Sequence, residues 1–312
     1  MKLVGIAMIR NESDVLEAFV RHNLTVVDEL LVVDHSSVDG CEQILASLVR
    51  EGLALVAMRD ESPGFPQPAM AMALTRKAFS EHGADFVVPL DADEFLKVPS
   101  RPRLEAALRA LPAGGHARLE WLTYVPSFDT DVDTVAALRT ARRLAVERHG
   151  LTKVVVAKSF ASQPAATIEL GHHAVRAPDA ATVAHHTLLD SSVAATAHVP
   201  IRSALQYSAK TAIGWLASQA TSTRARGQSF HWQGAYEYLR SGRPLTAGHL
   251  TAAAMNYSVP PDRWLPLDAV ELTDDPFLAD FNVRYSHFGV RDPLALVLSY
   301  LDRVLGDGAR RG

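Results

Sequence analysis

The sequence predicts an α/β protein whose first part is a doubly wound, mainly parallel sheet. Two observations predict it. Over the first hundred residues, short apolar runs alternate with segments of helical periodicity. The runs are also continuously apolar rather than two-periodic, as strands covered on both faces are. A chain of 312 residues with 48% hydrophobic and 21% charged residues can bury a sizeable core, which excludes disordered, collagen-like and disulfide-scaffold classes.

Leu3 to Ile9 reads as the first strand. Leu16, Phe19, Val20 and Leu24 then share one helical face, with Ser13 available as N-cap. Leu30 to Val33 is a second strand. After the turn-forming stretch from Asp34 to Gly40, Ile44, Leu45, Leu48 and Val49 mark a second helix that Gly52 can end, and Asp39 is expected to cap it. Leu53 to Met58 is the third strand, and the proline-rich segment Asp60 to Pro68 is an irregular loop before a helix near Ala69 to His82. Phe86 to Leu90 is the fourth strand. Ala117 to Val125, Lys153 to Phe160 and Thr167 to Val175 follow without helices between them, which suggests an antiparallel extension of the same sheet. From Ile201 the pattern is helical: Leu205, Ala209, Ala212, Ile213, Leu216 and Ala217 lie roughly on one face, a second piece lies around Ala235 to Leu239, and a terminal helix spans Leu294 to Leu305. The expected organisation is therefore a domain over residues 1–200 and a helical extension over 201–312.

Lys plus Arg number 31 against 35 Asp plus Glu, a net charge of -4, and the basic residues are scattered, so no nucleic-acid partner is expected. The single Cys41 excludes an internal disulfide and a multi-thiolate zinc site. No apolar run reaches the 18 or so residues of a membrane-spanning helix. The first run lacks a basic n-region and a cleavage site, so the expectation is a cytoplasmic protein. Thirteen histidines are unusual, with pairs at His172 and His173 and at His185 and His186. Strand residues alternate faces, so only one of each pair can point into a cleft.

The most informative stretch is Phe86-Val87-Val88-Pro89-Leu90-Asp91-Ala92-Asp93-Glu94-Phe95. Three carboxylates crowd the end of a strand, at the edge where open α/β sheets bind ligands. Hard oxygen ligands of this kind suit Mg2+ or Mn2+ bridging a diphosphate; the plainer alternative is a set of solvated or helix-capping acids. Haloacid dehalogenase phosphatases also use Asp-x-Asp, but after the first strand and with Thr or Val where this chain has Phe95.

These residues belong to an ordered series. Met8-Ile9-Arg10-Asn11-Glu12 is followed by Glu17-Ala18-Phe19-Val20-Arg21-His22. Val32-Val33-Asp34-His35-Ser36-Ser37-Val38-Asp39-Gly40, Pro66-Gln67 and Leu90-Asp91-Ala92-Asp93-Glu94-Phe95 come next. Over roughly residues 1–215 the chain resembles inverting GT-A fold glycosyltransferases, family 2-like and family 92-like. The resemblance implies a GT-A, Rossmann-like nucleotide-sugar-binding mixed sheet with a C-terminal helical extension. It places Arg10, Asn11 and Glu12 around the nucleotide base, Asp34 near base or ribose, and Gln67 at the donor site; a helix cap is the alternative for Asn11. Asp93 is expected to ligate Mn2+ or Mg2+ directly, with Asp91 on the ribose or a metal-bound water. His198-Val199-Pro200-Ile201-Arg202-Ser203, followed by Gln206-Tyr207 and Lys210, resembles the family's later segment. By that resemblance His198 is a metal ligand, and Arg202 and Lys210 contact the diphosphate. Val199 stands where the family has an aromatic residue, which leaves room for His186 or His173 as the ligand.

An inverting transfer needs a carboxylate base. The family's Glu-Asp motif is absent in recognisable form; Asp129, Asp131, Asp133 and Glu120 are candidates, and Asp129 is the expected catalytic residue. Trp121 and Tyr124 could stack on a sugar or pack in the core, and Trp215, His231 and Trp232 lie where the acceptor could be chosen. The implied activity is metal-dependent transfer from a nucleotide-diphosphate sugar, UDP-linked by expectation, to a glycan, lipid-linked or small-molecule acceptor. The alternatives are a sugar-phosphate nucleotidyltransferase, whose glycine-rich loop Arg10 to Asp14 lacks, and a non-catalytic nucleotide- or glycan-binding module.

Overall fold

The computed structural model of the chain describes residues 1–62, 67–128, 133–148, 150–177, 185–220, 230–257, 259–289 and 292–309. Its first part winds β1 (Leu3–Ile9), α1 (Leu16–Asn23), β2 (Glu29–His35), α2 (Cys41–Arg50), β3 (Leu55–Asp60), α3 (Gln67–Ser80) and β4 (Phe86–Leu90). β1 pairs in parallel with β2 on one side and β4 on the other, and β2 pairs in parallel with β3. The strand order β4-β1-β2-β3 reverses direction at β1. A crevice opens there, outside the carboxyl ends of β1 and β4, at the topological switch point.

Alternation along β1 shows why the runs are apolar throughout. Leu3, Ala7 and Ile9 enter the core layer under α1 and α2, while Val4 and Ile6 enter the layer under α3. Both faces are dry, and each fully buried Leu or Ile contributes about 1.5–3 kcal/mol of transfer free energy.

β5 (Glu94–Lys97), α4 (Arg101–Arg109), β6 (His116–Val125), α5 (Thr134–Arg139), β7 (Arg142–Leu144) and β8 (Thr152–Ala157) come next. β8 lies antiparallel between β4 and β6, so the sheet is extended as expected. The third expected strand is not part of it. Thr167 to Val175 instead gives β9 (Thr167–Ile168) and β10 (Val175–Arg176), an antiparallel pair forming a separate sheet. The chain reverses between them through Gly171 at φ 73 and His172 at φ 60. β11 (His186–Leu188) and β12 (Ala195–His198) pair in parallel with β6, and β12 is also antiparallel to β5.

The helical region contains α6 (Ala204–Ala220), α7 (Phe230–Arg240), α8 (Ala247–Met255) and α9 (Pro293–Ala309), with β13 (Leu272–Thr273) pairing with β7. It does not stand apart from the first two hundred residues. Phe277 packs 5.2 Å from Phe95, and the buried Glu17 carboxylate accepts the Arg284 and Tyr285 N–H groups. Among the described residues, no helix is long and apolar enough to cross a membrane.

Two expected helix caps differ. α1 begins after Val15 without a side-chain cap, and the Ser13 N–H donates to Asp39 Oδ2 at 2.8 Å. Gly40 holds the cap position of α2 at φ 98, where glycine is favoured. Asp39 stands one residue earlier and accepts the Cys41 N–H at 3.2 Å, so it ties the β1 loop to the β2 loop.

Candidate active site

A cleft of about 480 Å³ lies at the switch point. The loop after β1 supplies Arg10, Asn11 and Glu12, the loop after β4 supplies Asp91 and Asp93, and α3 supplies Gln67 from its first turn. Trp121 comes from β6, Lys153 from β8, His198 from β12 and Lys210 from α6. Asn11 makes the β1 loop rigid: at φ 54 it accepts the Val38 N–H at 2.9 Å, while its own N–H donates to Ser37 Oγ. It is a loop brace rather than a helix cap.

Each acid of the Asp-x-Asp pair faces its own lysine. Lys153 Nζ, 1% exposed, lies 2.9 Å from Asp91 Oδ2 and 2.5 Å from Glu94 Oε1. Gln67 Nε2 donates to the other Asp91 oxygen at 2.8 Å and accepts the Gly171 N–H through Oε1. Burial raises the Asp91 carboxyl, but the Lys153 charge overcomes this and holds it well below the usual range. Burial dominates at Glu94 and pushes it up to about 8. Lys210 Nζ lies 2.6 Å from Asp93 Oδ2 and 3.0 Å from Glu12 Oε1. Burial works against ionising Asp93 as well, yet with Lys210 beside it the carboxyl is lowered to about 2. Burial raises Glu12.

His198 is the last residue of β12, in register with Glu94 and Thr123. Its Nε2 lies 3.7 Å from Asp93 Oδ1, too far for a hydrogen bond, and its buried Nδ1 has no hydrogen-bond partner among the described residues. Burial lowers its pKa to about 3, so the ring is neutral near pH 7 and can act as a lone-pair donor. Trp121 lies against it, ring centroids 4.2 Å apart. Among the described residues, no group of three or more His, Cys, Asp or Glu gathers as metal ligands. The Asp93 and His198 pair nevertheless fits a divalent cation that completes its coordination with phosphate oxygens and water, as Mg2+-type ions do.

Not every expected residue reaches the cleft. Arg202 is 3% exposed and its guanidinium is committed to acids, at 2.8 Å from Asp14 and 2.5 Å from Glu12. That pairing braces the β1 loop from behind and leaves Arg202 off the cleft wall. Asp34 is buried at 2% exposure and is not among the cleft-lining residues; Oδ1 accepts the Ser37 N–H, and Oδ2 has no hydrogen-bond partner among the described residues, with Arg59 at 3.7 Å. Of the paired histidines, His173 lines the cleft, while His172 sits buried 3.9 Å from Asp91 Oδ1. His186 packs beside His116 instead, 5.7 Å between rings. Tyr124 is fully buried, bonded to Asp275 and packed on Phe277, so it belongs to the core. Asp133 caps α5 by accepting from Val135 and Ala136, and Glu120 is not among the cleft-lining residues. Trp215 stacks on Tyr236. Pro66, Asp129 and Asp131 lie outside the described residues, as does the His231 side chain.

Lys153 and Tyr257 were not singled out by sequence reasoning, and Glu94 was noted only as the third acid at the end of the fourth strand. A lysine opening the otherwise apolar run Lys153-Val154-Val155-Val156 was the available signal for the first, because a buried cation requires a buried anion.

No protein-family model matches the sequence, and no curated protein matches it. Solved structures are similar at low identity. A mannosyltransferase from Pyrobaculum calidifontis in complex with GDP-Man and Mn2+ is 18% identical over 81% of this chain and 72% of its own, with a TM-score of 0.39. A glucosyl-3-phosphoglycerate synthase from Mycobacterium tuberculosis, in complex with Mn2+, UDP and glucosyl-3-phosphoglycerate, is 21% identical with a TM-score of 0.28. That match covers 38% of this chain and spans 44% of the synthase, less than half its length. A putative glucose-1-phosphate thymidylyltransferase from Bacillus anthracis is 13% identical over 50% of this chain and 64% of its own, with a TM-score of 0.28.

Proposed function

We propose that the chain is a metal-dependent, inverting glycosyltransferase that uses a nucleotide-diphosphate sugar. The observation that carries this reading is the convergence of Asp91, Asp93, a neutral His198 and two lysines in one cleft at the carboxyl ends of parallel strands. Residues 1–200, completed by Lys210 of α6, would hold the donor and the rest of 201–312 the acceptor side, in a cytoplasmic setting.

In this reading Arg10 and Asn11 serve the nucleoside, Gln67 and Asp91 the ribose, and Lys210 the diphosphate, while Asp34, off the cleft wall, holds the loop after β2 through the Ser37 N–H. Arg202 acts indirectly by holding Glu12 and Asp14. Asp93 and His198 would hold Mn2+ or Mg2+, which when bound supplies Lewis-acid neutralisation of the departing diphosphate. The acceptor oxygen forms a bond to the anomeric carbon as the bond from that carbon to the diphosphate oxygen breaks. The nucleoside diphosphate departs with the bonding pair, and the acceptor proton passes to a carboxylate. Asp129 is proposed for that role: in the sequence it stands four residues after the end of β6 and five before Thr134, which lines the cleft.

The test is a thermal-shift screen of UDP-, GDP-, CDP- and TDP-sugars with and without Mn2+, because a ligand of the native state alone raises the midpoint. At least one donor is expected to stabilise the protein, more so with Mn2+. No shift with any donor would remove the reading.

A further inference from the structure

A second cavity of about 360 Å³ lies among α6, α7 and α8. It adjoins the central cleft, since Gln206, Lys210, Trp232 and Tyr257 line both. Its size falls within the range of small-molecule sites. The walls are mainly aromatic and aliphatic. Tyr238 and His249 stack with centroids 3.6 Å apart, and Tyr207 meets His249 edge-on at 6.1 Å. Trp232 stands at the boundary of the two cavities against Gly214, where a Cβ would come within 2.8 Å of its Cε2.

Most of the polar side chains around this cavity are engaged with the protein itself; the buried His249 Nε2 has no hydrogen-bond partner among the described residues. Asn256 donates to the Ala252 and Leu265 carbonyls, and its Oδ1 accepts from Leu265 N–H and from Arg148. Gln206 donates to the Pro200 carbonyl and accepts the Arg202 N–H. Trp264 Nε1 donates to the Val259 carbonyl, Tyr238 Oη to the Pro244 carbonyl, and Arg243 lies over the Tyr238 ring at 4.3 Å while donating to Ser241. A polyhydroxylated sugar desolvated here would exchange many water hydrogen bonds for few free partners, His249 Nε2 among them, whereas a flat apolar ring would lose few. The polar end of the space is its opening, where Lys210 and Asp93 meet.

We propose that this cavity is the acceptor subsite, and that its occupant is an alcohol or phenol carried on a flat, apolar ring system. The proposal rests on the glycosyltransferase reading for the word acceptor. The ring would lie among Tyr207, Tyr238 and Trp264, with its hydroxyl directed through the opening towards the anomeric carbon. There the new C–O bond forms, the diphosphate leaves with the electron pair, and the hydroxyl proton passes to the carboxylate base.

The experiment titrates 2-naphthol, methyl α-mannoside and a panel of nucleoside diphosphates separately into wild type, Ala235→Trp and Tyr238→Leu, using calorimetry. Ala235 lines only the second cavity. For wild type, 2-naphthol is expected to bind with a dissociation constant below about 100 μM, a modest efficiency for a ligand of that size. Ala235→Trp should weaken it roughly tenfold or more and Tyr238→Leu in the same direction, while nucleoside diphosphate binding stays unchanged. With a donor that the enzyme turns over, wild type should glycosylate 2-naphthol; Ala235→Trp should lose that transfer yet retain donor hydrolysis. Binding of the mannoside instead, no binding of 2-naphthol, or equal binding by folded variants would overturn the proposal. Binding of 2-naphthol without binding of any nucleoside diphosphate would overturn the glycosyltransferase reading and leave the ligand class of the cavity standing.

Discussion

Lys210 Nζ lies 2.6 Å from Oδ2 of Asp93, so an ammonium from α6 holds the acid that ends the β4 loop. The same ammonium reaches Glu12 on the β1 loop. In the proposed reading Lys210 and a divalent cation therefore compete for one carboxylate without nucleotide, and with a diphosphate present both cations would have an anion to share. Lys210→Gln is expected to tighten Mn2+ binding to the nucleotide-free protein and to weaken nucleoside diphosphate binding by about tenfold or more, as loss of a charge-assisted contact does. Calorimetric titration of each ligand separates the two effects. Unchanged affinities for both would show that Lys210 takes no part in either.

Lys153 is the counterpart on β8, buried between Asp91 and Glu94. Lys153→Ala strands the buried Glu94 and the half-buried Asp91 and is expected to cost about 3–5 kcal/mol, the range for breaking a buried ion pair from one side. Urea unfolding at pH 7 measures it. A loss below about 1 kcal/mol would mean that the acids are solvated rather than paired.

His22 is 3% exposed; Nδ1 accepts the Ala279 N–H, and Nε2 lies 2.9 Å from the Leu96 carbonyl. Burial lowers its pKa from 6.5 to about 4. Between those values the unfolded chain binds the extra proton, so stability is full above pH 6.5 and falls as pH drops towards 4. The loss amounts to ~3 kcal/mol for this group at the acid end. Unfolding free energies at pH 7 and pH 5 should differ less in His22→Gln than in wild type. An equal slope in the two proteins would contradict the assignment.

Gly214 leaves room for the Trp232 indole, and an added Cβ would come within 2.8 Å of it. Gly214→Ala is expected to destabilise by about 1–3 kcal/mol, as overpacking does, and to alter Trp fluorescence. A variant with the wild-type midpoint and spectrum would show that the indole yields freely.

The α/β half was legible because its information is local. Continuous apolar runs mark β1, β2 and β4, and Asp91 and Asp93 follow directly at the strand end where a ligand crevice belongs. His198 was reached only through resemblance, since its position depends on β12 inserting between β5 and β6, which pairs it with Glu94 and Thr123, both far from it in sequence. Arg202 illustrates a different limit. Its charge was visible, but its commitment to Asp14 and Glu12 brings together residues almost two hundred positions apart. The aromatic cavity was also hidden, because Tyr207, Tyr238 and Trp264 come from separate segments that packing joins. The expected strand over Thr167 to Val175 failed on two left-handed residues, one of them His172, which no apolar pattern marks.

The most direct test of the account is calorimetric titration of UDP, GDP, CDP and TDP into wild type and Asp93→Asn, with and without Mn2+. Wild type should bind at least one of them more tightly with Mn2+, and Asp93→Asn should lose that gain, a change on the order of tenfold to a hundredfold. If no nucleoside diphosphate binds in a metal-dependent way, or if Asp93→Asn keeps the full Mn2+ enhancement, the proposed site is wrong.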